Sequence, residues 1–152
     1  MTMLPEPVSG CFDGAVHRYA VRVHYEDTDA GGIVYHANYL RWFERARSDM
    51  LRLLGIDQRA ALDAGEGAYA VSELAIRYRA PARLDDVVHV ESRLEELGAA
   101  SCRLCQRAFR GDTELSEARL RIGFIDPNGR PKRQPEAWRR AFATMFPDPE
   151  GQ

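Results

Sequence analysis

Between Tyr25 and Arg47 the chain reads YEDTDAGGIVYHANYLRWFERAR, and this segment holds most of the residues able to do chemistry. Asp27 and Asp29 stand two apart, Gly31 and Gly32 follow, and His36 and Asn38 lie just beyond. The pattern predicts a strand end, a glycine turn and then a helix start. The first N–H groups of a helix have no partner within it, and the macrodipole adds to their partial positive charge. A Gly-Gly turn lets backbone approach a ligand without side chains in the way. Such donors can hold an oxyanion during acyl transfer. Asp29 could face the same carbonyl, attacking it directly or activating a water. An activated ester such as a thioester suits a site of this kind, because it needs less help than an amide. The chain contains no G-x-S-x-G and no H-E-x-x-H. The bland reading of each acid is a turn residue, and for Asp27 that reading leads. Asp27, Asp29 and His36 could also ligate a divalent ion, but no fourth ligand is evident, so no metal is expected.

These residues need elements to position them. His17–Tyr25 alternates, with Tyr19, Val21 and Val23 on one face, and reads as a half-buried strand. Asn38 is a suitable N-cap. After it Tyr39, Phe43, Ala46, Met50 and Leu54 recur at spacings of three and four, and Leu40, Leu51 and Leu53 widen the stripe. Gly55 is a natural stop. Residues 56–67 predict a short helix and a turn. Tyr69–Ala80, Asp86–Leu97, Ala100–Arg110 and Glu114–Asp126 read as strands, with turns at Leu97-Gly98, Gly111-Asp112 and Asp126–Gly129. Glu136–Phe146 reads as a final helix closed by Pro147 and Pro149. One long helix against an antiparallel sheet of about five strands is an α+β arrangement. The absence of βαβ alternation disfavours a nucleotide-binding doubly wound fold.

Composition narrows the class. A chain of 152 residues with 45% hydrophobic and 29% charged residues is expected to form one domain over 15–147, with tails at 1–14 and 148–152. The formal charge of −2 argues against nucleic acid as a partner. No run approaches the roughly 20 apolar residues of a membrane span, and the N-terminus lacks a signal-peptide pattern. Cytoplasm is therefore the expected location. Cys102 and Cys105 form a C-x-x-C, but residues three apart on a strand face opposite ways, and no second pair completes a zinc site. They read as two unrelated thiols. His17, His24 and His89 are expected at the surface or half-buried.

The segment EDTDAGGIVYHANYLRWFERAR closely resembles the signature of hotdog-fold acyl-CoA thioesterases of the 4-hydroxybenzoyl-CoA thioesterase type, nearest the Tol-Pal-associated branch. YRAPARLDDVVHVES, from Tyr78 to Ser92, resembles the same branch, as does the late strand ending at Asp126-Pro127. The likeness runs over about residues 19–146. It implies a helix wrapped by the sheet, protomers paired edge to edge as homodimers or homotetramers, and active sites between protomers. It makes Asp29 and His36 the catalytic positions, with the His36 backbone N–H polarising the thioester carbonyl. It puts Tyr35, Gly32 and Val34 against the substrate. It also implies basic side chains for the CoA phosphates, for which Arg130, Lys132 and Arg133 are the candidates. Acyl-CoA is the implied partner, with acyl-carrier protein as a further possibility. No cofactor is implied, since CoA belongs to the substrate. The chain departs from the branch at Ser72-Glu73, where basic residues are usual, and Glu73 could be a second acid. Two other readings remain open: a weakly catalytic acyl-CoA or acyl-carrier adaptor, and a hotdog hydratase or dehydratase.

Overall fold

The computed structural model describes residues 1–146. Pro147, Pro149 and the tail expected at 148–152 lie outside the described residues. In chain order the elements are β1 (Cys11–Asp13), β2 (Val16–Arg22), α1 (Asn38–Leu53), α2 (Gln58–Asp63), β3 (Ala68–Tyr78), β4 (Val87–Leu97), β5 (Ser101–Arg110), β6 (Thr113–Ile125) and α3 (Glu136–Ala143). The strands form one six-stranded antiparallel sheet in the order β1-β2-β4-β5-β6-β3. This is the expected α+β hotdog arrangement with one strand more. The extra strand, β1, falls inside the stretch expected to be a loose tail. It is too short to show an alternating pattern, and it is held by pairing with β2.

α1 packs its apolar stripe on one face of the sheet, where Phe43, Ala46 and Met50 meet Val88, Val90, Leu104, Ala108 and Ala118 in one core. Leu53, expected to widen the stripe, is instead exposed. α3 closes one end of the core with Phe142, joined by Met145 just beyond the helix. The faces expected for the final strand hold: Ala118, Leu120, Ile122 and Phe124 are buried. On the opposite face Arg119 pairs with Glu95 at 2.8 Å, and Arg79 and Arg107 reach Glu117 at 3.6 and 3.5 Å.

Two buried polar groups bolt α1 to the sheet. Gln106 on β5 accepts from Arg47 at 2.8 Å and donates to the Phe43 carbonyl and to Ser92 Oγ, each at 2.9 Å. His17 on β2 lies 2.7 Å from Asp49, whose carboxylate also accepts from the Gly10 N–H at 3.0 Å. His17 was expected near the surface, yet it is fully buried. Alternation along a strand cannot reveal that an acid on a helix 32 residues later will meet it.

Cys102 and Cys105 are both buried, as unrelated thiols would be, whereas Cys11 is exposed. Burial pushes the Cys102 thiol up to about 12 and raises that of Cys105. A thiol held protonated is a poor nucleophile. In the folded protein a maleimide at neutral pH should therefore label Cys11 alone. All three cysteines should react after denaturation, as mass spectrometry would read directly. Rapid labelling of Cys102 in the folded state would contradict this burial.

Candidate functional site

The site is built on a loop that leaves β2 and enters α1. Tyr25–Asp27 forms one turn of 3₁₀ helix. Asp27 secures that turn, because its carboxylate accepts from the His24 N–H at 2.7 Å. Its main-chain carbonyl accepts twice more, from the Tyr35 N–H at 2.9 Å and from Asn38 Nδ2 at 2.8 Å. Asp27 is thus a structural acid. Asn38 was expected to cap α1. It is instead the first helical residue, with Ala37 in the capping position, and its side chain ties the helix to the preceding turn.

Thr28 and Val34 pair as an isolated bridge, and the five residues between them make a closed loop. Asp29 N–H donates to the Ile33 carbonyl at 2.9 Å, and Gly32 N–H donates to the Asp29 carbonyl at 3.0 Å. Gly32 has a φ of 80°, in the left-handed region that favours glycine. Asp29 Oδ1 accepts from the Gly31 N–H at 2.8 Å. A Cβ on Gly31 would come within 3.1 Å of that same oxygen. The loop therefore holds one carboxylate oxygen and leaves the other, Oδ2, without a hydrogen bond among the described residues. Asp29 is exposed to solvent.

Val34 lies in the core, and its N–H donates to the Ala82 carbonyl at 2.9 Å. What it offers the site is the anchored position of its neighbours. Tyr35 and His36 follow, both exposed, with ring centroids 4.5 Å apart. The Tyr35 carbonyl accepts from the Asn38 N–H at 2.9 Å. Among the described residues the N–H groups of His36 and Ala37 donate to no acceptor. These are the donors expected at the helix start. The macrodipole of α1, about 24 Å long at 1.5 Å per residue, favours negative charge there.

The remaining candidates lie elsewhere. Arg130, Lys132 and Arg133 flank Pro131, which bridges Ile125, the partner of Ala68 at the start of β3. Lys132 Nζ donates to the Glu66 carbonyl at 2.7 Å. The Asp29 loop adjoins the other end of β3, where Tyr78 reaches His36. Strand geometry puts the two ends roughly 30 Å apart, so one protomer does not bring this cluster to Asp29. Ser72 falls at a register shift between Val71 and Glu73, and Glu73 lies 3.4 Å from Arg103. No group of three or more His, Cys, Asp or Glu among the described residues is placed to hold a metal ion.

Sequence reasoning missed Tyr78, whose hydroxyl donates to the His36 carbonyl at 2.8 Å. It also missed Ala82, whose carbonyl anchors Val34. Both act from more than forty residues away in sequence; the run from Tyr78 to Ser92 was marked by its resemblance, but its spacing did not show that it meets the Asp29 loop.

Residues 23–142 match the model of the thioesterase-like superfamily. The chain belongs to that family. An acyl-CoA thioesterase YbgC of Haemophilus influenzae is 44% identical over 108 residues, covering 71% of this chain and 79% of the relative. An acyl-CoA thioester hydrolase YbgC of Escherichia coli O6:H1 is 39% identical over 130 residues, covering 85% of this chain and 94% of the relative. Among solved structures, a probable thioesterase from Bartonella henselae superposes with a TM-score of 0.75 at 32% identity, over 79% of this chain and 99% of that one. The superfamily match takes in the Asp29 loop and all of α1, while β1 and β2 precede it.

The loop of this thioesterase-family chain should depend on Gly32. Gly32→Ala forces an L residue to positive φ, which costs about 1–2 kcal/mol. Urea denaturation should show a loss of that size. An unchanged midpoint would mean that the turn relaxes without strain.

Proposed function

We propose that this chain hydrolyses acyl-CoA thioesters, releasing a carboxylic acid and CoA. The feature that supports this most directly is a loop that leaves Asp29 Oδ2 free and leads within eight residues to the unclaimed N–H groups of His36 and Ala37. Family membership and two relatives that carry the name of acyl-CoA hydrolases point the same way. The thioester carbonyl accepts from the helix-start donors. Asp29 then attacks the carbonyl carbon, or takes a proton from a water that does so. Negative charge grows on the carbonyl oxygen, where the donors and the helix dipole stabilise it. CoA leaves as its thiolate and is protonated. In the nucleophilic route, water cleaves the resulting anhydride and restores the carboxylate. Neither route calls on a metal or an organic cofactor. The His36 ring stands exposed between Tyr35 and Tyr78, and in this reading it flanks the acyl group. A cytoplasmic setting fits this chemistry, because that is where CoA thioesters are handled. No helix among the described residues is long and apolar enough to cross a membrane.

The site is completed by a second copy. β3 pairs with β6 on one side only and forms an edge of the sheet. α1 packs over β2 and β4, and a cleft of about 210 Å³ between α1 and β3 leaves part of the inner face open. Val71, Leu74 and Tyr78 stay exposed along that edge. A long apolar edge strand is a template for pairing with another chain. Antiparallel pairing of two β3 strands lays the Ala68 end of one beside the Tyr78 end of the other. That brings the second copy's Arg130, Lys132 and Arg133 toward Asp29, where they can meet the CoA phosphates. A homodimer is the smallest such assembly, and a homotetramer can be built from two.

Asp29→Asn should lower kcat for a short acyl-CoA by about 10²–10⁴, the range for losing a general acid–base group, with the fold intact by circular dichroism. His36→Ala keeps the backbone donor and should cost less. Full activity in Asp29→Asn would sink the assignment. Tight CoA binding by the wild type without turnover of any acyl-CoA would favour the adaptor reading.

Putting charge on the seam should separate the copies. The double variant Val71→Lys, Leu74→Lys should sediment as a monomer with activity largely lost. If it stays a dimer in ultracentrifugation, the pairing runs through another surface.

A further inference from the structure

We propose that Tyr78 is a positioning residue for the oxyanion donors, acting through the peptide that joins His36 to Ala37. This inference rests on the hydrolase reading of the site and adds to it a residue on β3. The Tyr78 hydroxyl donates to the His36 carbonyl at 2.8 Å. That carbonyl and the Ala37 N–H belong to the same planar amide, pointing in opposite directions. A hydrogen bond accepted by the carbonyl draws electrons away from nitrogen and makes the N–H a stronger donor, the cooperativity seen along hydrogen-bonded chains. It also fixes the plane of the amide, so the Ala37 N–H stays aimed away from Tyr78.

Several observations support a built contact. Within a regular α-helix the His36 carbonyl would accept from the Leu40 N–H, four residues on. Here the Leu40 N–H goes to the Ala37 carbonyl at 3.2 Å. The His36 carbonyl is thereby released from the helix, and a strand supplies its donor. The preceding amide is secured in the same way, its Tyr35 carbonyl accepting from the Asn38 N–H. Both unclaimed N–H groups thus sit on amides whose carbonyls are occupied. The Tyr78 ring is held edge-on by Tyr39 at 5.6 Å and by His36 at 6.0 Å. A tyrosine phenol is protonated at neutral pH and able to donate, and partial desolvation raises its pKa further. Tyr78 also ends the open edge of β3, so the device links the seam between copies to the donors of the site.

The test is Tyr78→Phe, which removes one oxygen and leaves the ring contacts. A donor that is strongest in the transition state affects kcat more than KM. We expect kcat to fall about 3- to 10-fold with KM unchanged, a fraction of the loss for removing a whole oxyanion donor. The melting temperature should stay close to that of the wild type. In ¹H–¹⁵N spectra the Ala37 amide proton should move upfield, as expected of a weaker donor. This second reading does not depend on turnover. If the wild type turns over no acyl-CoA, the proposed function fails, while the amide shift still judges the coupling. An unchanged kcat, a change in KM alone, or an unmoved Ala37 amide would each overturn the role assigned to Tyr78.

Discussion

The main-chain carbonyl of Asp27 accepts two hydrogen bonds, one from the Tyr35 N–H and one from the Asn38 side chain. Those bonds draw together the 3₁₀ turn after β2, the far side of the glycine loop and the first residue of α1. Much of the candidate site follows from this closure. Asp29 is carried on the loop that it shuts, and the Tyr35–Ala37 amides are left at the mouth of the helix with their carbonyls occupied and two N–H groups unclaimed. Helix-start N–H groups have no partner within the helix, and here two of them stay unclaimed on the segment that follows the Asp29 loop.

That closure needs a helix that does not shift. α1 is held by its apolar stripe and by polar contacts that fix its register on the sheet. Gln106 reaches across from β5 to Arg47 and the Phe43 carbonyl, and His17 reaches from β2 to Asp49. Burial draws the Arg47 guanidinium below the usual arginine range, and no carboxylate among the described residues is bonded to it. Such groups contribute less to net stability than to choosing one packing among several of similar hydrophobicity. Apolar contacts tolerate sliding by a turn, and a buried amide with three fixed partners does not.

Much of this architecture could be read in the sequence. The spacing of Phe43, Ala46 and Met50 predicted the helix face that is buried, and the alternation of Ala118, Leu120, Ile122 and Phe124 predicted the core side of β6. Short or long-range features were harder. β1 is only three residues long and exists because β2 pairs with it. His17 read as surface or half-buried because its partner lies on a helix, and Asn38 read as a cap because its bond to Asp27 reaches back across the glycine loop. The basic cluster at Arg130, Lys132 and Arg133 was legible as charge, but its place at the far end of β3 was not.

The sequence by itself determined which chemistry the site could hold. Asp29, two glycines free to turn, and a helix beginning after His36 are local facts, written within a dozen residues and governed by backbone sterics and the helix dipole. Only the tertiary structure decided how those groups are used. It assigned Asp27 to the scaffold, released the His36 carbonyl from the helix, and brought Tyr78 from a distant strand to take it. It also left the outer edge of β3 unpaired and part of the sheet's inner face open beside α1. The physical reason is that hydrogen-bond partners distant in sequence leave no periodic trace. They are set by the register of strands and the seating of a helix, which exist only once the chain has folded.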